Sequence, residues 1–257
     1  MPITQLINYG DRFERQEVTS TDDNPSTGWW FSLTKADLDG DGDEDFVFGN
    51  LGENYKYQAT PEEPFEVFYD DFDGNGKRDI VLSYYSDGKQ FPLRGRACSA
   101  QQIPDLKQSF PTYDGFAGAT LSEVFDPLAL DGSLQLSAST FSSMVGINQN
   151  GNILISKLPV EAQFSPVRTS VVKDVNGDGF MDIVLAGNLY QSEVETPRAD
   201  GGLGLVLLGS EDGGFGPQSS AVSGICFRGD VRQVVNLDKN RLLLISNDGS
   251  ARIFRAR

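Results

Sequence analysis

DLDGDGDEDFVFGN, residues 37–50, sets five aspartates at alternate positions, Asp37, Asp39, Asp41, Asp43 and Asp45, and then runs straight into an apolar strand-like segment. Carboxylates packed that closely beside a core repel one another strongly unless a cation sits among them. The pattern recurs. DFDGNGKRD at 71–79 and DVNGDGFMD at 174–182 join it to give three copies of D-x-[DN]-x-[DN]-G-x-x-D. Each copy leads into a short β-type run: FVF (46–48), IVLSYY (80–85) and IVLAG (183–187).

The spacing has a physical reason. Side-chain oxygens at loop positions 1, 3 and 5 converge when the loop coils tightly, and a glycine at position 6 permits the sharp turn. Position 7 can add its backbone carbonyl and the aspartate at position 9 can close the shell, which gives an all-oxygen site suited to calcium. Magnesium fits less well, because it demands a tight octahedron and keeps several waters. The expected ligand sets are Asp37, Asp39, Asp41, Asp43 and Asp45; then Asp71, Asp73, Asn75, Lys77 and Asp79; then Asp174, Asn176, Asp178, Phe180 and Asp182. About three calcium ions are expected. An EF-hand loop starts in the same way but needs a bidentate Glu at position 12, where this chain has Phe48, Leu82 and Leu185. A strand also follows each loop here in place of a helix. The plainer alternative is a set of Asp-Gly hairpin turns without metal. Three copies, each with Asp at position 9, favour the metal.

Composition narrows the function. The chain has 257 residues, a formal charge of −16 and 39% hydrophobic residues, enough to bury a core. Its acidity, without a run of Lys or Arg, argues against nucleic acid. No apolar stretch reaches the ~20 residues of a spanning helix, and direct membrane insertion is not expected. MPITQLINYGDRF at the N-terminus lacks the charged and apolar regions of a signal peptide, so export would require a signal removed or lying upstream. Histidine is absent, which removes the commonest general base, the Ser-His and Cys-His nucleophiles and most zinc sites. Cys98 and Cys226 lack CxxC spacing, and both a disulfide and two free thiols stay open.

The loops followed by a strand and then Gly-Asn, as in FGN (48–50) and AGN (186–188), resemble the FG-GAP or VCBS repeat of integrin-α-type β-propellers. The longer stretches around the three loops resemble the C-terminal half of secreted bacterial proteins related to cartilage acidic protein, the ASPIC/UnbV group. The resemblance implies a β-propeller with calcium in outer loops, an extracellular, periplasmic or cell-surface location, and a binding or scaffolding role. It supplies no ligand.

Periodicity points to blades as well. Hairpins are read in INQNGNILIS (147–156), LVLLGSEDGGFG (205–216) and LLLISNDGSARIF (242–254), with a further strand-turn-strand at the N-terminus. The expectation is a single all-β domain over 1–257: a propeller of about four blades near 28–63, 64–156, 164–216 and 218–257. It is either part of a larger ring or closed by the N-terminal hairpin. A worn loop is expected around RGDVRQVV in the last blade. Between 96 and 144 the β pattern lapses and two capping boxes, Ser99 with Gln102 and Thr120 with Glu123, mark a helical insertion. Such an insertion is a packing cap or a partner-binding surface. Arg228-Gly229-Asp230 spells an integrin-recognised tripeptide, a short motif with a high false-positive rate. Trp29 and Trp30 are read as one core ring and one rim ring, with sugar stacking as the sharper alternative.

The preferred function is a non-enzymatic calcium-binding scaffold for a protein or glycan at the cell surface, within or beside a larger assembly. The alternative is a carbohydrate-active enzyme or its accessory domain. Against the enzyme, Glu123, Asp126, Glu161, Glu193 and Glu195 form no carboxylate pair that sequence can establish.

Overall fold

The computed structural model describes residues 2–18, 26–192 and 196–255. The chain divides into two compact units, one of residues 57–140 and one of residues 2–56 together with 141–257. The larger unit begins with β1 (Thr4–Asn8), β2 (Phe13–Glu17), β3 (Ser32–Ala36) and β4 (Asp45–Gly49). The smaller unit follows, with β5 (Phe65–Asp70), β6 (Asp79–Ser86) and β7 (Lys89–Pro92). Next come α1 (Arg96–Gln102), α2 (Leu106–Ser109), α3 (Tyr113–Ala117), α4 (Leu121–Val124) and α5 (Pro127–Gly132), before β8 (Leu134–Ala138). The chain then returns to the larger unit with β9 (Met144–Gln149), β10 (Asn152–Lys157), β11 (Val167–Lys173), β12 (Asp182–Gly187), β13 (Leu205–Gly209) and β14 (Phe215–Gln218). A short α6 (Ser220–Ser223) precedes β15 (Asp230–Asp238), β16 (Arg241–Asn247) and β17 (Arg252–Arg255). The fold is all-β, built of several small antiparallel sheets.

The larger unit holds sheets in the orders β10-β9-β4-β3, β11-β12-β13-β14 and β15-β16-β17, besides the β1-β2 hairpin. The smaller unit holds β7-β6-β5-β8. This pairing corrects the blade boundaries read from sequence. Blades at 28–63 and 64–156 were expected, yet β4 pairs with β9, Val47 opposite Val145, so the first sheet takes its outer strands from 144–157. The second aspartate loop and its strands form a separate sheet within the intervening 57–140. The reason is non-local. Val47 and Val145 close the same core from opposite ends of a long excursion, and nothing in either strand names its partner.

β12 explains why IVLA is continuously apolar. Every residue of this strand is buried. Ile183 and Leu185 face a core shared with Val47, Val145 and Val167, while Val184 and Ala186 face one shared with Val231, Val234 and Leu244. The middle sheet of the larger unit is therefore covered on both faces, which removes the polar alternation of a half-exposed strand. The hairpin turns carry the expected chemistry. Asn150 and Gly151 (φ 56° and 90°) and Asp87 and Gly88 (φ 51° and 71°) sit in the left-handed region that two-residue hairpins require. Trp30 packs with Phe48, ring centroids 6.0 Å apart, whereas Trp29 is 38% exposed.

Helices α1–α5 occupy much of 96–144, and a strand, β8, follows them. Their apolar side chains Ile103, Leu106, Phe116 and Leu121 pack on Phe68 and Val81 of the smaller sheet. At Thr120 the expected box forms, with the Glu123 carboxylate accepting the Thr120 N–H at 2.7 Å. At Ser99 it does not. The N-cap of α1 is Gly95, four residues earlier, and the Ser99 hydroxyl donates back to the Arg94 carbonyl at 3.1 Å.

The Gly-Asn pairs after β4 and β12 have a structural task. Asn188, buried and at φ 134°, accepts hydrogen bonds from the Ser165 hydroxyl (2.5 Å) and the Gly202 N–H (2.9 Å). Its amide donates to the Gly202 carbonyl (3.0 Å) and to the Gly229 carbonyl (2.8 Å), just ahead of the next sheet. Asn50 does the equivalent work, accepting from the Trp29 N–H (3.0 Å), donating to the Ser142 carbonyl (3.2 Å) and taking the Val167 N–H on its own carbonyl (2.9 Å). Each asparagine thus ties two segments of its own sheet to the start of the next sheet. Asn188→Ala removes four hydrogen bonds at a buried site and should cost about 3 kcal/mol, read as a fall in urea midpoint at constant m-value.

Candidate metal centres

In three of the sheets the first and second strands are joined by an aspartate loop, and the loops share one geometry. The position-1 carboxylate turns inward on the loop backbone. Asp37 accepts the Gly40 and Gly42 N–H groups (2.8 and 3.2 Å), Asp71 those of Asn75 and Gly76 (3.0 and 2.8 Å), and Asp174 those of Gly177 and Gly179 (2.6 and 3.1 Å). The position-5 oxygen takes the N–H of position 7: Asp41 from Asp43 (2.8 Å), Asn75 from Lys77 (2.8 Å) and Asp178 from Phe180 (2.9 Å).

Position 9 is the anchor. Asp45, Asp79 and Asp182 are buried, and each accepts the N–H of its loop's second residue, from Leu38 at 2.7 Å, Phe72 at 3.2 Å and Val175 at 2.7 Å. The other oxygen of Asp45 takes the Asn148 N–H (2.8 Å), and that of Asp182 the Gly209 N–H (2.9 Å), which fastens the loop to the third strand of its sheet.

The coil also uses a residue that the motif leaves free. A glycine stands at position 4 as well as 6, and Gly40, Gly74 and Gly177 have φ of 82°, 70° and 81°. A Cβ there would meet nothing, so the requirement is purely one of backbone conformation. The recurrence of Gly four residues into all three loops was the available signal.

Oxygens of Asp37, Asp39 and Asp45 lie within 4.8 Å of one another, as do those of Asp71, Asp73 and Asp79. Oxygens of a cation's coordination shell lie within about 5 Å of one another, so the carboxylates of each cluster are close enough to share one ion. Both clusters could hold a metal ion. The third loop has Asn176 where the others have Asp39 and Asp73, so it brings one carboxylate fewer to that position. The Asp41 and Asp43 side chains lie outside the first cluster, and Lys77 and Phe180 have only a backbone carbonyl to offer. Among the described residues, no Lys or Arg pairs with an aspartate of the three expected ligand sets; Lys35 pairs with Glu44, at position 8 of the first loop, and Arg78 with Asp70, just before the second.

The electrostatics follow. Burial, then the neighbouring carboxylates Asp73 and Asp71, push the Asp79 carboxyl above the usual carboxylate range against the pull of the Phe72 N–H. Asp182 is raised in the same way by burial and by Asp178 and Asp174, against two backbone N–H groups.

The last sheet lacks such a loop. By topology its counterpart is the tight turn between β15 and β16, and not RGDVRQVV, which lies before and within β15. There the Asp238 carboxylate accepts the Asn240 N–H (2.9 Å) and the Arg241 guanidinium (2.6 Å), so a side-chain cation stands where the other loops gather acids. Asp230 of the Arg-Gly-Asp tripeptide is buried and paired with Arg232 at 2.7 Å, which withdraws it from recognition as an exposed motif.

Other candidates have structural tasks or stand alone. Glu123 and Asp126 cap helices, and Cys98 and Cys226 form no disulfide among the described residues. Glu161 is the one carboxylate among the described residues lining a cleft of about 360 Å³ beside Phe164 and Gly187. Glu193 and Glu195 lie outside the described residues. No protein-family model matches the chain, and a search of curated proteins returns no match.

Proposed function

We propose that the chain is a calcium-stabilised, propeller-type binding scaffold of an exported or cell-surface protein. The observation that carries the reading is the threefold loop, each with one buried anchoring aspartate and one backbone-wrapped aspartate, whose acids converge in the first two copies and whose expected ligand aspartates pair with no Lys or Arg among the described residues. The propeller reading is supported by the meander order of the sheets in the larger unit and by the Thr34 hydroxyl, which reaches from β3 to the Ser170 carbonyl of β11 at 3.2 Å. Calcium fixes the loop and thereby the first two strands of each of the three sheets that carry one, so its contribution is to folding and needs no chemistry. A binding role, for a protein or a glycan, fits a chain with no histidine and a single carboxylate in its apolar cleft, since glycoside hydrolysis needs two.

Isothermal titration of chelated protein with calcium tests the metal directly. About three ions should bind, with magnesium markedly weaker. Heat no greater than that of dilution would contradict the reading.

Proton competition supplies a second prediction. Asp79 and Asp182 have folded-state values above their unfolded ones. Without metal, the stability they contribute is present below the unfolded value and lost as pH rises through the folded value. With calcium the order reverses, because the ion must displace those protons. Lowering pH through the window between neutrality and the unfolded-state carboxylate value should therefore weaken calcium binding while easing the strain in chelated protein. Asp238, held low first by the Asn240 N–H and then by Arg241, titrates below that window. A calcium affinity unchanged across the window would contradict the assignment.

A further inference from the structure

A cavity of about 300 Å³ opens at the start of β15, against the turn between β16 and β17 and the segment after β12. That volume is at the small end for ligand sites, about the size of one sugar ring. Its chemistry differs from the rest of an acidic chain. Arg228 and Arg252 line it, both exposed and without a hydrogen-bond or ion-pair partner among the described residues. Asp230, 3% exposed, forms part of the wall. One of its oxygens is paired with Arg232, but Oδ1 is buried with no partner among the described residues. Arg168, whose guanidinium is pushed down by burial and then by Arg232, lies within electrostatic reach of the same carboxylate. Asp248, at φ 53°, adds one exposed acid to the rim. Tyr190, with the Arg198 guanidinium 4.6 Å from its ring centroid, is the aromatic part of the wall.

A buried acceptor without a donor costs about 1–3 kcal/mol, and a native structure usually resolves such a cost with a ligand or water. Since Arg232 already neutralises Asp230, Oδ1 needs a hydrogen-bond donor and no further charge. An ammonium group there would meet Arg232 and Arg168. A hydroxyl would not. Arg228 and Arg252 at the mouth present paired donors to a carboxylate.

We propose that this cavity binds a hydroxylated carboxylate of sugar-acid size, with the acid on Arg228 and Arg252 and a hydroxyl donating to Asp230. This deepens the reading of the chain as a binding scaffold and rests on it, by naming a ligand class at a site remote in sequence from the aspartate loops.

The experiment is isothermal titration of the calcium-saturated full chain with D-glucuronate, D-glucose and L-glutamate, repeated on Arg228→Ala, Arg252→Ala and the double variant. Both arginines are exposed, and an unchanged thermal midpoint will show that the variants stay folded. Glucuronate should bind at least ~10-fold more tightly than glucose or glutamate, and each single variant should lose about 10-fold. Asp230→Asn, if folded, should also weaken glucuronate. The inference is overturned by absence of glucuronate binding, by glutamate binding as tightly, or by full affinity in the double variant. A parallel calcium titration separates the two readings, since calcium binding without glucuronate binding overturns this site alone.

Discussion

Gly187→Ala should unfold the larger unit or cost about 3 kcal/mol or more, among the largest single-residue effects expected in the chain. A Cβ on Gly187 would sit 1.7 Å from the Pro166 carbonyl oxygen and 2.8 Å from the Arg168 nitrogen. Both are backbone atoms of the segment that begins β11, so relief requires moving the strand itself. Gly49→Ala should act in the same way, because its Cβ would lie 2.2 Å from the Val167 carbonyl oxygen. Gly40→Ala supplies the contrast. Its Cβ meets nothing, and only the left-handed φ of 82° opposes it, worth about 1–2 kcal/mol. Urea unfolding of the three variants should rank them in that order. A Gly187→Ala protein as stable as Gly40→Ala would show that β11 does not pack as described.

Asp182→Ala should be nearly as damaging when calcium is present. The substitution strands the Val175 and Gly209 N–H groups, which now bond its two oxygens at 2.7 and 2.9 Å, and it removes an oxygen from the proposed calcium site. Two charge-assisted hydrogen bonds are worth about 3–5 kcal/mol together. In excess chelator the loss should be smaller, since the carboxylate that burial and its neighbours destabilise is then also gone. Unfolding in calcium and in EDTA reads the difference. An identical loss in both conditions would make Asp182 a structural anchor only.

Much of the site was legible because it is local. The three loops, their glycines and their position-9 aspartates lie within nine residues each, and their wrap follows from side chains bonding nearby backbone. Hairpins such as β9–β10 were legible for the same reason. What escaped the sequence depends on distant partners. That β4 pairs with β9, across the whole smaller unit, is decided by Val47 and Val145 meeting in one core. The Gly-Asn pairs were visible as a mark of resemblance, but the role of Asn188 rests on Ser165, Gly202 and Gly229, none of them near it in sequence. The Arg-Gly-Asp tripeptide is a weak motif in sequence, and only Arg232 and burial show that its Asp230 lies inside.

The central claim is that the aspartate loops are cation sites that hold the sheets together. Thermal unfolding of one preparation in excess EDTA, in millimolar magnesium and in millimolar calcium tests it most directly. Calcium at 100 times its dissociation constant adds about 2.7 kcal/mol per site, so the midpoint should rise by more than about 5 °C, with a much smaller rise in magnesium. Equal midpoints in all three conditions would reduce the loops to solvated turns and contradict the account.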